Sequence, residues 1–163
     1  MTEMIEAEPA LAARLLTRLA EPGGPAARLA AAVRLAAEAG QPIIVTGCGT
    51  SEHGALAIVE ILREGLRTAG LPWRLGHAGC PVAVQAFEGS LEDWLGAAGG
   101  VVIGVSHEGG TWATNIALEQ ARKSGATVAL VTASDGSPGS ALADIVVTTD
   151  ELDQSWCHTI GYL

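Results

Sequence analysis

Short runs of consecutive apolar, mostly branched residues recur along this chain, and each leads into a turn and then a helical pattern. Gln41-Pro42-Ile43-Ile44-Val45-Thr46 ends at Gly47, and Val101 to Val105 ends at Ser106. Thr127 to Thr132 and Asp144 to Thr148 are runs of the same kind. Apolar residues at successive rather than alternate positions suit strands covered on both faces. Between the runs, a helix from about Ser51 to Thr68 places Ala55, Ile58, Val59, Leu62 and Leu66 on one face, and a second runs from Trp112 to about Ser124. Buried strands alternating with helices imply parallel βαβ units with right-handed crossovers. The expected fold is a three-layer α/β/α sandwich of about five parallel strands. The fifth strand is a weaker one around Trp73 to Gly76, and the segment from Val82 to Trp94 reads as irregular.

Two helices precede the first strand. Pro9 suits the first turn of a helix with Leu11, Leu15, Leu16 and Leu19 on one face. Glu21-Pro22-Gly23-Gly24-Pro25 breaks it, and a second helix follows from Pro25 to about Ala39 with Leu29, Val33 and Ala36 facing inward. Residues 1–40 thus read as a helical segment and residues 41–163 as the ligand-binding domain. Ser155 can cap a last helix, Trp156 to Leu163, of only about two turns, fewer than globular helices usually have. That predicts either a continuing chain or a partner that covers the helix.

Composition narrows the ligand. The chain has 163 residues, with 18 acidic against 9 basic side chains and a formal net charge of −9. Covering nucleic-acid phosphates takes clustered Lys and Arg, whereas here Lys123 is the single lysine among scattered arginines, which excludes a nucleic-acid partner. No apolar run reaches the roughly 18 residues of a membrane helix, and the first residues lack a signal-peptide pattern. Cys48, Cys80 and Cys157 have neither disulfide-scaffold nor zinc-knuckle spacing. A cytoplasmic, soluble protein with no metal site is expected. A small anion remains admissible, because local amides and hydroxyls can hold one whatever the net charge.

The chemistry is expected at the carboxyl ends of the strands. Thr46-Gly47-Cys48-Gly49-Thr50-Ser51 and Ser106-His107-Glu108-Gly109-Gly110-Thr111 both follow a buried strand and open a helix. Hydroxyls of Thr50, Ser51, Ser106 and Thr111 would join the helix-terminal amides as donors to one phosphate. The same hydroxyls also read as ordinary helix caps. A dinucleotide fingerprint is disfavoured, since its third glycine position is Glu52, and no Walker lysine is present. Glu52 itself reads as a dipole-stabilising carboxylate. Cys48 reads as a small residue packed under its loop, and His53 as a solvated helix residue or one at the pocket mouth.

Gly47-Cys48-Gly49-Thr50-Ser51, the loop from Ser106 to Thr111, Gly125-Ala126, Ser137-Pro138 and Ala143-Asp144 together resemble the SIS (sugar isomerase) domain. The opening Met4-Ile5-Glu6-Ala7-Glu8-Pro9 is similar to the start of the isomerase half of glucosamine-6-phosphate synthase and of related phosphosugar isomerases and deglycases. The resemblance implies a flavodoxin-like strand order 2-1-3-4-5 and a phosphosugar site. Ser51, Ser106 and Thr111 would hold the phosphate, His107 could donate to it, and Gly49 and Thr50 would lie against the sugar. The chain could be the first half of a two-SIS protein, or one that builds its site across a dimer.

The resemblance breaks at Glu108, where the family has a phosphate-binding serine, and at Gly110, where it has a glutamate. Two unit charges about 5 Å apart at an effective dielectric of about 20 repel by about 3 kcal/mol, so a Glu108 aimed at the phosphate would cost over a hundredfold in affinity. Without a glutaminase domain the chain alone cannot take ammonia from glutamine. The expected function is binding of a phosphorylated monosaccharide, with aldose-ketose isomerisation or a related amino-sugar or fructosamine phosphate reaction through an enediol. Glu108 and His158 are the candidate proton carriers. This route needs no metal or organic cofactor. The alternative is a non-catalytic sugar-phosphate sensor or regulatory module.

Overall fold

The computed structural model describes residues 2–71, 79–91 and 99–150. Two helices, α1 (Thr2–Leu19) and α2 (Pro25–Glu38), lead into β1 (Ile43–Gly47) and α3 (Thr50–Thr68). Then come β2 (Pro81–Gln85), α4 (Ala86–Leu91), β3 (Val101–Val105), α5 (Trp112–Lys123), β4 (Thr127–Thr132) and β5 (Ile145–Thr148). All strand pairs are parallel, in the order β2-β1-β3-β4-β5.

Every residue of β1 and β3 is buried. Side chains alternate across a strand, so their odd and even positions feed two separate cores. Ile43, Val45, Val101, Ile103 and Val105 pack with Val33 and Ala36 of α2 and with Ala55, Val59 and Leu66 of α3. Ile44, Val102, Val128 and Leu130 pack on the other face with Leu118 and Ala121 of α5. Gly104 lets α5 approach the sheet: a β-carbon there would stand 3.0 Å and 3.1 Å from the two Leu118 methyls. The three layers follow from this two-sided burial, each large side chain contributing about 1.5–3 kcal/mol.

The outer face of α3 carries ion pairs beside the exposed Leu56 and Ile61. Glu60 pairs with Arg63 and Glu64 with Arg67, and the hydrogen bonds from Arg67 hold the Glu64 carboxyl below its ordinary value. At the other end of the sheet Arg18 reaches Asp150 at 2.5 Å and the Thr148 hydroxyl at 3.1 Å, tying α1 to the end of β5. Arg28 of α2 donates to the Asp144 carbonyl at 2.8 Å. Among the described residues no helix is long and apolar enough to cross a membrane.

Three expectations change. A strand occupies Pro81–Gln85, inside the segment read as irregular, while the strand expected at 73–76 lies outside the described residues. Among the described residues β2 is an edge strand that bonds only to β1; it tolerates proline at its first position and leaves Val82 38% exposed, so it lacks the dense apolar run of the central strands. The Gln85 side chain then accepts the N–H groups of Phe87 at 2.7 Å and Glu88 at 3.3 Å, which starts α4 directly. Pro9 lies inside α1 rather than in its first turn. Its missing N–H removes one hydrogen bond, and the helix-forming neighbours Glu8, Ala10 and Leu11 carry the helix through. On that helix Leu11 is buried but Leu16 and Leu19 are exposed.

Truncating Leu118 to alanine should cost about 2–5 kcal/mol, because a fully buried side chain would leave a cavity over Gly104. Urea unfolding of Leu118→Ala against wild type measures it.

Candidate functional site

In-register pairing puts the carboxyl end of β1 beside that of β3, with Gly47 opposite Val105. From there the chain leaves to α3 on one face of the sheet and to α5 on the other. This divergence opens a crevice at the switch in strand order.

The first wall is shaped by glycine. A β-carbon at Gly47 would lie 2.5 Å from the Ser51 carbonyl oxygen, so only glycine lets the start of α3 fold back onto the strand end. Gly49, at φ 61 and ψ −126, precedes the helix in a conformation that side chains disfavour. The Ser51 N–H bonds the Cys48 carbonyl at 3.3 Å and the Glu52 N–H the Gly49 carbonyl at 3.0 Å, which closes the turn. No side chain caps α3 or α5. Thr111 stands at the cap position of α5, yet its hydroxyl meets Ser106 Oγ at 3.3 Å instead.

The second wall, residues 106–111, is fastened from behind. The His107 carbonyl accepts the Ala133 N–H at 2.8 Å and the Thr132 hydroxyl at 3.0 Å. The Gly109 carbonyl accepts the Gly139 N–H at 2.9 Å and Asn115 Nδ2 at 3.2 Å. Gly109 has φ +65, and a β-carbon there would fall 2.0 Å from Ser137 Oγ. That serine is held in turn by Ser140, whose hydroxyl is 2.7 Å away.

Between the walls lies a cleft of about 460 Å³ lined by Cys48, Thr50, Ser51, His107, Glu108, Gly110 and Thr111. Five of the candidate residues therefore meet: Thr50, Ser51, His107, Glu108 and Thr111. Ser106 is 2% exposed and sits behind Thr111 rather than in the wall. Gly49 is exposed and shapes the turn without lining the cleft. His158 lies outside the described residues. Glu108 is exposed, and its side chain leaves the cleft open. Among the described residues no lysine or arginine lines the space, so the donors they offer an anion there are neutral.

Cys48 corrects its expected place: it is half-buried and lines the cleft rather than packing under the loop. Glu52 faces a neighbouring cleft with Gln85, Phe87 and Glu88, and His53 is exposed. Gly110 and Cys48 are wall residues outside the candidate set. Asn115 and Thr132, which fasten the loop, gave no signal, since their contacts join distant parts of the chain.

No protein-family model matches the sequence, and no curated protein matches it. Solved structures do. A candidate sugar-binding protein from Salmonella typhimurium LT2 superposes with a TM-score of 0.65 at 27% identity, over 98% of this chain and 44% of that one. A candidate sugar-phosphate isomerase from Listeria monocytogenes gives 0.63 at 20% identity, over 99% of this chain and 81% of that one. The fold is that of the SIS-domain phosphosugar isomerases. Glucosamine-6-phosphate deaminase from Thermotoga maritima superposes at 0.57 with 18% identity, over 71% of this chain and 33% of that one. The chain spans under half the length of the Salmonella and Thermotoga proteins. In this SIS fold the cleft lies between the two loops that the resemblance singles out.

The glycines of the second wall differ in what they permit. Gly109→Ala should cost about 2 kcal/mol or more, from its left-handed backbone and the collision with Ser137. Gly110→Ala, with open space around it, should stay within about 0.5 kcal/mol of wild type. Chemical denaturation of the two variants checks the contrast.

Proposed function

We propose that the cleft binds the phosphate of a phosphorylated monosaccharide and that the chain takes part in aldose-ketose isomerisation, or in a related amino-sugar or fructosamine phosphate reaction. The observation that carries this reading is the convergence of the Thr50, Ser51 and Thr111 residues on one open cleft at the switch in strand order, with no cationic side chain in its wall. The names borne by the similar Salmonella, Listeria and Thermotoga proteins support it.

Ser51 and Thr111 donate to the phosphate, and Ser106 orients the Thr111 hydroxyl from behind. The unfilled amino terminus of α5 adds a favourable field. His107 donates from the second wall, and Gly49 and Thr50 lie toward the sugar. Glu108 stands at the margin of the cleft, where its carboxylate can take a proton from the carbon next to an open-chain carbonyl and return it to the neighbouring carbon. His158 is the second candidate for that shuttle. Residues 1–40 support the domain formed by residues 41–163, and a second copy or a second SIS half is the proposed partner. A binding-only sensor is the second reading. It is favoured by the cleft wall holding a single carboxylate, Glu108, among the described residues.

Calorimetric titration with fructose 6-phosphate, glucosamine 6-phosphate and inorganic phosphate tests the binding. Ser51→Ala and Thr111→Ala should each weaken sugar-phosphate affinity by about 5- to 10-fold, the worth of one hydrogen bond. Unchanged affinity in both variants overturns the assignment. Ketose-aldose exchange followed by NMR separates enzyme from sensor. For an enzyme, Glu108→Gln should lower exchange by about 100-fold or more while binding at least as tightly.

A further inference from the structure

The helical layer that α2 and α3 form over the sheet is open between the two helices. An apolar groove of about 640 Å³ runs there. Small residues hold it open: Ala27, Ala30 and Ala31 along α2, Gly65 and Ala69 along α3. Ile61 stands on the α3 side with 69% of its surface exposed, and Ala30, Ala31, Gly65 and Ala69 are exposed as well. Apolar surface of this kind is stabilised when another apolar surface covers it. Charge selects what can do so. Residues 25–68, which include both helices, carry four arginines and four glutamates, in a chain with 18 acidic against 9 basic side chains. The acidic excess therefore lies wholly outside this stretch. On these helices Arg34 pairs with Glu38 at 3.6 Å, Glu60 with Arg63 at 2.7 Å and Glu64 with Arg67 at 2.5 Å. A face whose charges cancel within the chain offers no cationic surplus to an acidic surface and no anionic surplus to a basic one. It is where a second chain of net charge −9 meets the least repulsion.

We propose that the groove between α2 and α3 is the contact surface of a homodimer, in which Ile61 of each copy seats among the small residues of the other. This names a surface for the second copy put forward above, rests on that part of the reading alone, and is independent of what the cleft binds. A two-fold contact sets a face against itself, so it needs projecting side chains and recesses on the same patch. Ile61 supplies the projection, and the alanines of α2 with Gly65 supply the recess. Small residues on both sides also let helices of the two copies approach closely, ridge into groove. The helix α3 then joins interface to site: its first turn carries Thr50 and Ser51 at the cleft, and its second half lines the groove.

Sedimentation equilibrium of the chain from about 1 μM to about 500 μM should show a monomer–dimer equilibrium. Ile61→Asp and Ala31→Asp should each weaken it by about tenfold or more, because the dimer would bury an unpaired carboxylate at the contact. Both positions are exposed in the single chain, so each variant should keep the wild-type circular dichroism spectrum, and either one alone suffices if the other folds poorly. Leu16→Asp, at an equally exposed position on α1, should leave the dimer within about twofold of wild type. Added salt should tighten the wild-type dimer, since it screens two acidic chains from each other and the contact depends on no ion pair between them. A wild-type chain that stays monomeric at the highest concentration overturns the proposal. So does a dimer that persists in both groove variants, that Leu16→Asp breaks, or that salt loosens. None of these measurements involves a ligand, and titration of the cleft with inorganic phosphate decides the phosphate reading separately.

Discussion

The parallel pairing of β1 with β3 is the constraint on which the rest of the molecule depends. It joins two strands far apart in the chain, in a register that sets Gly47 against Val105. A slip of one residue would turn every side chain of the slipped strand to the opposite layer. With β1 slipped against β3, Ile43 and Val45 would face α5, while Ile44 would face α2 and α3. The same register that satisfies both cores brings the two glycine-bearing turns alongside each other. Packing energy and site geometry thus have one origin.

A chain of net charge −9 looks poorly suited to hold an anion. The cleft resolves the conflict locally. Among the described residues its wall contains hydroxyls, a thiol, backbone and one imidazole, and the single carboxylate, Glu108, is exposed. Water screens an exposed charge, so the repulsion of about 3 kcal/mol reckoned at an effective dielectric of about 20 falls toward about 1 kcal/mol at a bulk-water value. Glu108 is therefore compatible with an anion in the cleft so long as its carboxylate stays clear of the phosphate.

The central layer was legible because its signal is local. Runs such as Val101-Val102-Ile103 need no partner to be read as buried strands, and the glycines that end them mark turns. The two loops stood out for the same reason, and five of the eight candidate side chains and turns meet in one cleft. What escaped depends on distant contacts. β2 is recognisable only once β1 is beside it, since its Pro81-Val82-Ala83-Val84-Gln85 carries neither a dense apolar run nor a glycine stop. Thr132 reaches a carbonyl 25 residues away, and Ser137 excludes any side chain at Gly109 from a turn beyond the next strand. Cys48 lines the cleft because of how the turn into α3 is set against the loop after β3, a placement that its sequence neighbours do not encode.

The two sides of the cleft are rooted in different layers. Thr50 and Ser51 open α3 and Cys48 lies in the turn before it, with the α3 core packed against α2, whereas residues 106–111 are stapled to α5 and the end of β4. Mutational drift in one layer is consequently insulated from the other, and each half of the recognition surface can diversify on its own. A scaffold divided in this manner can sample new specificities by editing half a site at a time.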